Sequence, residues 1–93
     1  MKLRYTRPAR LELELILEHL SVHSPQGAAK VHARIRAVTE LLLTHPHIGV
    51  ATDDPVIRRA TLNPYPYVIF YEPRGDEIVV HSIRHGARDS GGG

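Results

Sequence analysis

Ala28, Val31, Ile35, Val38 and Leu42 follow one another at alternating spacings of three and four. Past Pro55 that rhythm gives way to the short runs VIRRATL, YPYVIFYE and EIVVHSIRH. The first pattern lines up side chains on one face of a helix; the runs suit strands. Both must be satisfied within 93 residues, so a helical layer has to pack on a sheet, which is the α+β class. A chain of this length buries only about 60–65% of its unfolded surface, leaving one thin core and little room for a deep cavity.

The helix carrying the stripe starts at Ser24-Pro25, where a hydroxyl caps free N–H groups and a proline at the first position loses no bond. It is expected to run to Thr44, because Pro46 disfavours helix at His45. Upstream, ARLELELILEHL has a Leu-Glu alternation that on its own argues strand. Leu13, Ile16, Leu17 and Leu20 nevertheless make a helical stripe, and Leu, Glu and Arg are good helix formers, so a second helix is expected there. Leu11 and Leu15 widen its apolar face, and Thr6 and Pro8 mark its start. The short link between the helices implies an antiparallel hairpin.

KLRYT at the front alternates and forms a short strand with Leu3 and Tyr5 on one face. GVATDDP reads as a loop. The last two strands are separated by PRGD, with Gly75 available for a positive-φ turn position, so they pair as a hairpin. The expected order is β-α-α-β-β-β: a short N-terminal strand and a helix hairpin packed on a small, mostly antiparallel sheet. One domain is expected over residues 1–89, with residues 90–93 a flexible tail.

Twelve Lys and Arg against ten Asp and Glu leave a formal charge of only +2. Distribution says more than the sum: Glu12, Glu14 and Glu18 cluster early, whereas Arg58, Arg59, Arg74, Arg84 and Arg88 recur late. A locally basic C-terminal half suits an acidic or phosphate-bearing partner, and equally a solvated mixed surface. With no cysteine, disulfides and thiolate chemistry are excluded. No apolar run approaches the ~18 residues of a membrane span, and a cytoplasmic protein is expected.

The ordered set LRYTRPARLELELILEHL, the Ser-Pro start of the second helix, HPHIG, Arg58-Arg59, YPYVIFYE and IRHGARD resembles the RelE/ParE superfamily of bacterial toxin–antitoxin toxins. It covers about residues 2–89, and YPYVIFY with IRHGARD looks most like the ParE branch. The resemblance implies a toxin held in a hetero-oligomer by a cognate antitoxin that wraps over it. It also implies one of two actions: ParE-like members poison DNA gyrase, whereas RelE-like members cleave mRNA on the ribosome. A third expectation is a non-toxic module that only binds its antitoxin.

A metal-independent ribonuclease needs a base, an acid and cations for the phosphate. The candidates for that set are Arg58, Arg59, Arg84, His85 and Arg88, since histidine exchanges protons near neutrality and arginine binds phosphate through paired donors. RelE-like nucleases use lysine-rich or Glu/His/Tyr sets, commonly with a late tyrosine. Here no tyrosine follows Tyr71, and the lysines are Lys2 and Lys30, which favours the gyrase reading. Arg58, Arg59, Arg84 and Arg88 are then partner contacts, and the surplus leucines Leu11 and Leu15 are an apolar strip for the antitoxin. His85 and Arg88 also have an ordinary reading, as a strand-end hydrogen bond and an ion pair with Asp89 or an acidic helix residue. His45 and His47 flank Pro46 without a third ligand, so no metal and no cofactor is expected.

Overall fold

Two helices among the described residues each start on a hydroxyl. In the computed structural model, which describes residues 1–86, Thr6 Oγ1 accepts from the Ala9 N–H at 3.2 Å and Ser24 Oγ accepts from the Gly27 N–H at 3.0 Å. These caps open helix α1 (Arg7–His23) and helix α2 (Pro25–Thr44). Ser24 serves both: its N–H closes α1 on the Leu20 carbonyl at 2.7 Å while its side chain opens α2. The chain therefore turns on one residue, and the helices pack on each other. Neither helix is long and apolar enough to cross a membrane.

Among the described residues the sheet has five strands, β1 (Lys2–Tyr5), β2 (Val50–Ala51), β3 (Arg58–Thr61), β4 (Tyr67–Arg74) and β5 (Glu77–His85). Their order is β1-β5-β4-β3-β2, with β1 parallel to β5 and every other pair antiparallel. The β4–β5 hairpin turns at Gly75, whose φ of 59° is the left-handed value that glycine tolerates. The α+β expectation holds, with one strand more than the sequence suggested. Val50 and Ala51, read as loop, pair with Arg59 and Arg58 as a two-residue edge strand. Conversely, β3 starts at Arg58 rather than Val56, and Thr6 leaves β1 to cap α1.

The core lies between the helices and one sheet face. Val31, Ile35, Val38 and Leu42 meet Leu62, Ile69, Tyr71, Ile78, Val80 and Ile83 there, and Ala9, Leu13, Ile16, Leu17 and Leu20 pack in from α1. Leu11 and Leu15 do not widen this buried face: they are 54% and 63% exposed. On a helix, positions 11, 15, 18 and 22 form one stripe, and here it faces outward with Val22.

A second device joins α2 to the sheet. The buried Tyr71 donates its hydroxyl to the Pro46 carbonyl at 2.8 Å and accepts from the Gly49 N–H at 2.9 Å. A Cβ on Gly49 would lie 2.6 Å from that hydroxyl and 2.8 Å from the Arg59 carbonyl, so only glycine fits. Burial pushes the Tyr71 phenol above its ordinary pKa, opposed by the Gly49 bond and the Arg58 charge.

Candidate functional site

Strand register decides which of the candidate residues meet. Arg58 stands opposite Tyr71 and Arg59 opposite Phe70, so the two arginines point to opposite faces. Arg58 lies on the helix side, where its Nη1 donates to the Gly49 carbonyl at 2.8 Å and the His47 carbonyl at 3.1 Å. That guanidinium fastens the loop after α2. Arg59 takes the other face, is exposed, and makes no ion pair among the described residues.

On that outer face Phe70 is also opposite Ser82, and Arg84 is the next residue of β5 on the same side. The Arg84 guanidinium carbon lies 5.4 Å from the Phe70 ring centroid, within cation–π range. The sheet thus brings Arg59 and Arg84 to either side of one aromatic ring. His85 points the opposite way, its ring edge-on to Tyr67 at 5.6 Å between centroids. Arg88, the fifth candidate, and the tail lie outside the described residues.

His85 and Tyr67 form one wall of an open groove of about 560 Å³, the other wall being Leu15, Ile16 and His19 of α1. Glu12 and Arg84 also border it. The groove exists because β1 ends at Tyr5, opposite Val80, so among the described residues the last part of β5 has no neighbouring strand on that side. The Glu12 carboxylate covers the gap, accepting from the Ile83 N–H at 3.2 Å and from Ser82 Oγ at 2.9 Å. Ser82 Oγ in turn accepts from Arg84 Nε at 2.8 Å.

Sequence reasoning did not single out Ser82, and took Glu12 only as one member of an acidic cluster. A signal for Glu12 exists: it sits four residues before Ile16 and eight before Leu20, on the border of the buried stripe, whereas Glu14 and Glu18 are exposed. The remaining polar clusters are pairs. His81 meets Glu72 at 2.9 Å beside the register shift between β4 and β5, and Arg4 meets Glu77 at 3.1 Å. Among the described residues no group of three or more His, Cys, Asp or Glu is arranged to hold a metal ion.

The described residues thus form a mixed sheet with a helix hairpin on one face and Arg59 and Arg84 on the other. The model of the ParE toxin of the type II toxin–antitoxin system parDE matches residues 3–90, and the chain belongs to that family. A solved structure of the chromosomal ParDE toxin–antitoxin system from P. aeruginosa is similar to it. The two share 27% identity over 91% of this chain and 95% of that one, with a TM-score of 0.78. As a type II toxin, the protein has an antitoxin as its partner.

Proposed function

We propose that this toxin inhibits DNA gyrase by binding it, and so blocks replication until the antitoxin neutralises it. The observation that carries this reading is the placement of Arg59 and Arg84 around Phe70 on the sheet face away from α1 and α2. Arginine and aromatic side chains are the types that dominate binding energy at protein interfaces, and two cations on one face suit an acidic partner surface. Proton chemistry has weaker support, because His85 points to the other side of the sheet, against Tyr67. Arg58, committed to two loop carbonyls, supports the platform rather than the contact.

The antitoxin is assigned a different surface. Leu11 and Leu15 are exposed on α1, and Leu15 lines the groove between α1 and β5. An apolar segment of the antitoxin laid along that stripe would bury both.

The test is induction in cells lacking the antitoxin, with DNA and protein synthesis followed separately. The proposal expects DNA synthesis to stop first, with filamentation. Early arrest of translation with cut mRNA would replace it with a RelE-like ribonuclease, and harmless induction would leave a non-toxic antitoxin-binding module.

A further inference from the structure

We infer that Glu12, acting through Ser82, is a positioning residue for Arg84. The inference rests on the reading of Arg84 as a target contact and adds how that contact is held. A serine hydroxyl has one proton to donate and lone pairs to accept with. Ser82 is buried, with 5% of its surface exposed, and uses both capacities: it donates to the Glu12 carboxylate at 2.9 Å and accepts from Arg84 Nε at 2.8 Å. The chain runs from cation through hydroxyl to anion, an order in which each bond polarises the next.

Its two ends are anchored differently. Glu12 projects from α1, a helix fixed in the core by Leu13, Ile16 and Leu17, and is held a second time by the Ile83 N–H at 3.2 Å. Arg84 is exposed on a strand end, and its guanidinium also lies over Phe70. A long exposed arginine samples many rotamers, and ordering it at the moment of binding weakens the complex. The Glu12–Ser82 pair orders the Arg84 guanidinium in advance through Nε. It also closes the one stretch of β5 that β1 leaves uncovered, so that the position of Arg84 depends on the seating of α1.

Replacing Glu12 with alanine strips acceptors from both Ser82 and Ile83 and risks the fold. The informative variant is therefore Ser82→Ala, which keeps the Glu12 bond to the Ile83 N–H. In a proton–nitrogen NMR spectrum of the full chain, the Arg84 Nε–H signal is expected to be protected from exchange and to lose that protection in Ser82→Ala. An unchanged signal overturns the inference, whatever the target. In gyrase inhibition, Arg84→Ala and Ser82→Ala are each expected to raise the half-inhibitory concentration about tenfold, as for loss of one charge-assisted contact. The double variant should be no worse than Arg84→Ala alone, because both remove one interaction. Independent, multiplying effects would overturn the positioning role. An Arg84→Ala variant that inhibits normally would instead sink the contact reading, with the NMR signal still deciding whether Glu12 and Ser82 hold the side chain.

Discussion

Two side chains at the β3–β4 pair have opposite tasks, and substitution should separate them. Tyr71 supplies both bonds that fix the Pro46–Gly49 loop, so Tyr71→Phe keeps the ring in the core but leaves the Gly49 N–H and Pro46 carbonyl without partners. The expected loss is about 1–3 kcal/mol, read from urea unfolding, with the folded architecture retained. Arg59→Ala should behave in the reverse sense. It is expected to leave unfolding unchanged, since the side chain is exposed, while weakening toxicity. A destabilised Arg59→Ala, or a Tyr71→Phe as stable as the parent, would contradict this division. A third residue sets a pH limit. Burial raises the Tyr5 phenol above its ordinary pKa, against an opposing bond from Thr39. A raised folded-state pKa means that the unfolded chain loses its proton first as the solution becomes alkaline. Stability from this group is thus complete below about pH 10 and falls as pH rises above it. Tyr5→Phe should flatten that alkaline decline, measured by unfolding at several pH values.

At the scale of elements, α2 was readable because every stripe position from Ala28 to Leu42 is buried, a case where spacing alone dictates the face. For α1 the same reasoning identified the helix but left two leucines, Leu11 and Leu15, between a widened buried face and an exposed strip. Six apolar positions cannot share one narrow face, and spacing does not say which of them the sheet will cover. Val50 and Ala51 were not legible at all, since a two-residue edge strand is defined by its partner Arg58-Arg59 and not by its own sequence. The candidate site was half legible. Arg59 and Arg84 follow from strand alternation, but the β4–β5 register that sets Arg84 beside Phe70, and the Glu12 contact across the sheet edge, join residues far apart in the chain. The outward stripe carries its own prediction: Leu15→Glu should weaken antitoxin binding at least tenfold by titration calorimetry while leaving the melting temperature unchanged. Undiminished affinity would place the antitoxin elsewhere.

On the proposed reading, the molecule uses two surfaces on one thin core, an apolar stripe and groove along α1 and a basic, aromatic-centred face across the sheet. They meet at the end of β5, where Glu12, Ser82 and Arg84 form a continuous chain of bonds. If the antitoxin occupies the groove against Leu15, as proposed, it lies beside Glu12, and neutralisation and target contact would then be connected by proximity. The central claim is that this ParE-family toxin acts on gyrase by binding. Its most direct test is supercoiling of relaxed plasmid by purified gyrase with increasing amounts of the toxin, in the presence and absence of its antitoxin. The account predicts inhibition that saturates with toxin, is relieved by antitoxin and is weakened by Arg84→Ala. Normal supercoiling at every concentration of a folded toxin would contradict it.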